Sequence, residues 1–187
     1  MAVESILAIR STHALSTRAV DLVQLIWEAF RHQDLSHVGA AEHLLRDVRR
    51  THSSPGTPAD QMVTSVADLL SVVCNMLEDA VPFTERAMRE INSLFDKGVE
   101  LLECARDALV TENRVLVRHI LASSAQYAQL ANDYAMAHQQ RLVEGVCLPQ
   151  ASTTYLDMLE HLKGVGRQTR RIAEELALRH GPTTAAR

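Results

Sequence analysis

Apolar residues recur at steps of three and four through six stretches of this chain, and nowhere do they alternate in twos. A period near 3.6 lines up side chains on one face of a helix, whereas a half-buried strand needs a period of two. The pattern therefore implies helices packed on helices rather than alternating half-buried strands. Composition points the same way. The chain is 47% apolar but only 4% aromatic, and an aliphatic core with few rings suits helix packing. At 187 residues, one bundle is long enough to bury a real core. The fold expected is all-α, an up-and-down helical bundle of about six helices.

Taken in order, the first stripe lies within residues 4–32: Leu15, Ala19, Leu22, Val23, Ile26, Ala29 and Phe30. Trp27 sits beside it and reads as an anchor against a neighbouring helix. A second helix over 35–50 buries Val38, Ala41, Leu45 and Val48. Arg46, Arg49 and Arg50 stand near its C-terminus, where cations favour the helix dipole; the sharper reading is an anion or acidic-lipid patch. Residues 51–60, THSSPGTPAD, form a linker that ends in a helix start, with Thr57 as cap, Pro58 at the first position and Asp60 in the first turn. The third helix runs to about Val81, with Met62, Val66, Leu69, Val73, Met76, Leu77 and Ala80 inward, and Pro82 breaks the path. The fourth carries Ala87, Ile91, Leu94, Phe95, Leu101, Leu102, Ala105 and Leu109. The fifth runs from near Asn113 to about Glu144 with the stripe Leu116, Ile120, Tyr127, Leu130, Tyr134 and Ala137. Gly145 and Pro149 stop it. Ser152 is the expected N-cap of the sixth helix, whose stripe is Leu156, Leu159, Leu162, Val165, Thr169, Ile172 and Leu176. It ends near His180, and 181–187 read as a disordered tail.

Several function classes find no support. Net charge is −4, with 17 Arg against 2 Lys, so no global basic field invites nucleic acid. No apolar run approaches the roughly 20 residues of a membrane span, and the start has no signal-peptide layout. Three cysteines, an odd number without framework spacing, fit a reducing cytosol; Cys104 and Cys147 read as small core residues. The nine His form no zinc or metalloprotease motif, and there is no P-loop, dinucleotide fingerprint or G-x-S-x-G.

The most specific pattern lies late in the chain. The run RL-x-x-G-x-C-x-P-x-x-S-x-x-YLD-x-L comprises Arg141, Leu142, Gly145, Cys147, Pro149, Ser152, Tyr155, Leu156, Asp157 and Leu159. It resembles the PhoU-like cytosolic domain that follows the membrane part of bacterial sodium/phosphate cotransporters. The following HLKGVGRQTRRIAE is similar to the PhoU signature D-L-E-R-I-G-D-H-x-x-N-I-A-E, with matches at Leu162, Gly166, Ile172, Ala173 and Glu174 and Val165 in place of Ile. Upstream, residues 83–109 resemble the helix that opens the second PhoU repeat. The resemblance implies two three-helix repeats, 1–82 (with the 51–60 loop inside it) and 83–180.

PhoU proteins hold metal through E/D-x-x-x-D pairs, since acids at i and i+4 face the same way and hard cations want several oxygens. Here Lys163 and Arg167 occupy those two positions, Gln168 and Arg171 replace the signature His and Asn, and Cys74 and Glu78 correspond in the first repeat. No metal or other cofactor is therefore expected. The two cations are expected to reach for acids on a neighbouring helix, Glu78, Asp96 or Glu100. The weak remaining metal candidates are the pairs Asp96/Glu100 and Asp157/His161; Asp133/His138 is poorly spaced. The resemblance implies a non-enzymatic regulatory or scaffolding role in phosphate uptake. The chain would be cytoplasmic, held at the inner membrane face by a transporter domain, fused or separate, or pairing with a second copy as a homodimer. The alternatives are a metal-binding PhoU-type regulator using leftover carboxylates and a carboxylate-bridged catalytic bundle. The latter normally requires E-x-x-H motifs, which the chain lacks.

Overall fold

Caps and left-handed residues mark where each helix stops. The computed structural model describes residues 2–51, 56–147 and 149–179. Within them lie α1 (Ala2–His32), α2 (Leu35–Thr51), α3 (Pro58–Glu78), α4 (Glu85–Thr111), α5 (Arg114–Val143) and α6 (Pro149–Arg179). The fold is an all-α bundle of six helices, with no strand among the described residues. Residues 52–55 of the expected 51–60 loop and the 181–187 tail lie outside them; Thr51 ends α2, and 58–60 open α3.

Thr57, Thr84 and Asn113 cap α3, α4 and α5, their side-chain oxygens accepting from the amides of Asp60, Ala87 and Val115. Each thereby satisfies one of the amides a helix start leaves unpaired. Helix α3 ends at Glu78, short of the expected Val81. Ala80 enters the left-handed region at φ 48°, and the Val81 amide turns back to Met76 O at 3.0 Å. The chain thus leaves the helix before Pro82 forces it to. Gly145 ends α5 with φ 70°, as its lack of a Cβ allows. Pro149 opens α6 as its first residue rather than merely terminating α5, because its missing N–H is one that a helix start leaves unpaired anyway. Ser152 consequently lies inside α6 and is not its cap.

Helices α1, α3, α6 and α4 form a closed ring in which each packs on the next. Helix α2 lies outside against α1 and α3, and α5 outside against α4 and α6. The adjacency is the same in both halves: α1, α2 and α3 touch one another as α4, α5 and α6 do, and α1 meets α4 while α3 meets α6. The predicted stripes of the ring helices form most of the core, and Ile26, Phe30, Leu69, Ile91, Phe95 and Leu162 are all at most 1% exposed. Each such side chain contributes about 1.5–3 kcal/mol by leaving water. Leu77 and Leu156 are only half-buried, and Ala80, expected inward, is exposed because α3 ends before it. Trp27 anchors α1 on α4 as expected, stacked on Phe95 at 6.2 Å between centroids and donating to Asn92 Oδ1 at 2.7 Å.

The stripe on α5 differs from expectation. Leu116, Leu130, Tyr134 and Ala137 are only half-buried, and the buried face is Val117, Ile120, Ser124, Tyr127, Ala131, His138 and Arg141. The helix is wedged against two neighbours and turns polar residues inward, which an apolar periodicity cannot register.

Candidate functional site

Glu90 on α4 is 7% exposed and is the centre of a buried polar cluster at one end of the bundle. Its two carboxylate oxygens receive both terminal nitrogens of Arg141 on α5, at 3.1 and 2.8 Å. Tyr155 on α6 donates to Oε2 at 2.5 Å, and Arg86, one turn before Glu90, donates its Nε to Oε1 at 3.0 Å. The fork of a guanidinium matches a carboxylate in this way, and ionised partners strengthen each bond. Three helices are thus tied to one side chain.

His138 lies one turn before Arg141 and is 3% exposed. Its ring stacks on Tyr155 at 4.4 Å, and its Nε2 sits 2.9 Å from Ser152 Oγ. The hydroxyl expected to cap α6 is instead used to fix this imidazole.

The charges are set by the cluster. Burial alone pushes the Glu90 carboxyl up, but the hydrogen bonds from Tyr155, Arg141 and Arg86 outweigh it, and its pKa falls below the ordinary value. Burial acts against the Arg141 cation, yet the Glu90 contacts more than restore it, so it stays protonated. The Tyr155 phenol is pushed up by burial and by its carboxylate partner, so it remains a donor. Burial and then the Arg141 charge hold His138 below its usual value, in the neutral form.

A second close approach lies further along α6. Tyr127 of α5 is 2% exposed, and its ring fits between Gly98 of α4 and Gly166 of α6. A methyl group on Gly166 would stand 2.6 Å from Tyr127 Cδ1, and one on Gly98 would stand 3.1 Å from the hydroxyl. The glycine of the predicted signature is there because an aromatic ring occupies the space of its side chain.

The other signature residues divide by face. Leu162 and Ile172 are core, while Asp157 and Glu174 are exposed and Leu142 is half-buried. Glu174 pairs with Arg170 at 2.8 Å. Lys163 and Arg167 do not reach Glu78, Asp96 or Glu100. Both pair with Glu160 of their own helix, at 2.5 and 2.9 Å, and Lys163 also approaches Asn132 of α5 at 3.4 Å. Glu160, one turn before Lys163 and two turns before Arg167 on the same helix, pairs with both in place of any acid on α3 or α4. The two cations hold the Glu160 carboxyl below its ordinary value despite partial burial.

The weak metal candidates remain dispersed. Asp96, Glu100 and Asp157 are exposed and His161 is half-buried. Asp133 bonds to Gln129 on the surface, away from buried His138. Among the described residues, no three His, Cys, Asp or Glu side chains are grouped to hold a metal ion. No helix among them is long and apolar enough to cross a membrane. Arg50 of the basic trio pairs with Asp47 at 3.1 Å, while Arg46 and Arg49 line a groove between α2 and α3. Cys104 and Cys147 are half-buried rather than core residues.

Sequence reasoning singled out Arg141 and Tyr155 only as motif positions, and it missed Glu90 and the buried role of His138. The available signal was the Glu within the apolar face of α4, between Ala87 and Ile91.

Together these features define an all-α six-helix bundle closed at one end by a buried ionic hydrogen-bond network. Compared with family models, curated proteins and solved structures, the chain gives no match.

Proposed function

We propose that this chain is a non-enzymatic PhoU-like domain that regulates or scaffolds sodium-dependent phosphate transport at the cytoplasmic face of the membrane. One observation carries the reading: the residues of the resemblance are also those that hold α4, α5 and α6 together. Arg141 and Tyr155 grip Glu90, and Gly166 makes room for Tyr127. The matching adjacency of the two halves fits repeats at 1–82 and 83–180. Rigid helix faces rather than a reactive cleft would then make contact with the membrane domain of a transporter or with a second copy of the chain.

The test is reconstitution. The chain is added to proteoliposomes holding the membrane domain of a bacterial sodium/phosphate cotransporter. The expected result is co-sedimentation and a change in sodium-driven phosphate uptake of about twofold or more, the effect of ~0.4 kcal/mol or more on a rate or occupancy. Absence of both binding and effect overturns the reading.

The ion pairs on Glu160 bear on cofactor use, because cations stand where the resembled family places acids. Calorimetry with iron, zinc and manganese should show stoichiometric binding only after Lys163→Glu with Arg167→Asp, which restores oxygen ligands. Tight binding by the unsubstituted chain would favour a metal-dependent regulator instead.

A further inference from the structure

A pocket of ≈ 290 Å³ opens between α4 and α5, at the lower end of the size range of small-molecule sites. Its floor is apolar, formed by Leu101 of α4 and by Leu130 and the Tyr127 ring of α5. Lys97 and Glu100 stand on the α4 wall, and Ser123 and Gln126 on the α5 wall. His119, also on α5, lies 3.5 Å from Ser123 Oγ. The α5 wall is thus polar without a carboxylate or an ammonium.

Two features of this pocket call for an occupant. The first is the Tyr127 hydroxyl. Its residue is 2% exposed, and the hydroxyl has no hydrogen-bond partner. It lies against Gly98, next in the chain to Lys97, where a methyl group would stand 3.1 Å from it. Burial pushes the phenol above its ordinary value, so it stays protonated and needs an acceptor. Leaving such a donor unpaired costs free energy. The second feature is the pair Lys97 and Glu100, both exposed. Opposite charges at this spacing on a helix can reach each other, and Glu160 and Lys163 of α6 do so. Among the described residues, neither Lys97 nor Glu100 makes an ion pair.

We propose that this pocket binds a small zwitterion, an α-amino acid with an apolar side chain, its carboxylate held by Lys97 and Tyr127 and its ammonium by Glu100. An anion alone would face the Glu100 carboxylate, and a cation alone the Lys97 ammonium; a ligand with both charges satisfies both residues. A rotamer shift at the exposed rim, common on binding, brings the carboxylate to the buried phenol. The ligand side chain covers Leu101 and Leu130, and Ser123 and Gln126 offer donors and acceptors to its remaining polar atoms.

The test is calorimetry on the full chain with L-phenylalanine and L-leucine. The controls are 3-phenylpropionate, which lacks the ammonium, and phenethylamine, which lacks the carboxylate. At least one amino acid should bind one to one with a Kd of about 1 mM or below, and each single-charge analogue about tenfold more weakly or worse. Lys97→Ala and Glu100→Gln change exposed side chains and should fold as the parent does. Each should weaken the amino acid about tenfold, while Lys97→Ala binds phenethylamine, and Glu100→Gln binds 3-phenylpropionate, no more weakly than the parent. Tyr127→Phe should weaken the amino acid without lowering the thermal midpoint, because it removes only an unpaired hydroxyl. A tyrosine with a purely structural role would leave the affinity as it is. The proposal is overturned by absence of binding of both amino acids, by analogue affinities equal to theirs, or by an affinity unchanged in any of the three variants.

Discussion

Glu90 is the side chain whose loss the protein should feel most. In Glu90→Gln the Arg141 cation stays buried without its counter-charge, and the expected cost is about 3–5 kcal/mol in a urea titration. The cost belongs to the orphaned partners rather than to the ion pair itself. The triple variant Glu90→Leu, Arg141→Met, Tyr155→Phe removes every orphan and should return to within ~2 kcal/mol of the parent. The same cluster sets an acid sensitivity with two parts. His138 titrates below its ordinary 6.5 in the folded chain, so the unfolded chain binds the proton first and stability falls as the pH drops from about 6.5. Glu90 titrates below its ordinary 4.5, so its contribution is whole above that value and is lost as the pH falls through the folded pKa. Urea midpoints followed against pH should show both declines, and His138→Gln should flatten only the upper one.

At the scale of elements, glycines decide how closely helices meet. Gly164 and Gly166 both face neighbours across α6, but the neighbours differ in kind. A methyl at 164 would stand 2.9 Å from Ser65 Oγ, a hydroxyl that can rotate aside. A methyl at 166 would stand 2.6 Å from the Tyr127 ring, which is buried and cannot. Gly166→Ala should therefore cost about 1–3 kcal/mol through overpacking. Gly164→Ala should be close to neutral, because the gain in helix propensity, about 1 kcal/mol, offsets a small shift of Ser65. Thermal unfolding of the two variants distinguishes them; an equal loss at both would mean that helix spacing, not the ring, sets the limit.

Over the whole molecule, stability should be uneven. Helices α1, α3, α4 and α6 are packed on several sides, while α2 lies outside the ring and buries only Val38, Ala41, Leu45 and Val48. Hydrogen exchange should find the α2 amides opening at least about tenfold faster than those of α6, since local opening follows the apolar contacts that must be broken. Matching protection in the two helices would show that the bundle opens only as one unit.

What the sequence determined by itself was whatever depends on neighbours a few residues apart. The period of Leu22, Ile26 and Phe30 or of Leu159, Leu162 and Ile172 fixes which helix face is apolar. Thr57–Pro58 and Gly145 mark helix ends because cap geometry is local. Polar pairing across helices is not local. Arg141 and Tyr155 stand 51 and 65 residues from Glu90 in the chain, and a hydropathy pattern does not pair them. Lys163 and Arg167 pair within their own helix for the converse reason: Glu160, one and two turns earlier on α6, lies within reach of both. Only the tertiary structure decides these contacts, because burying a charge is favourable solely when packing brings the opposite charge to it.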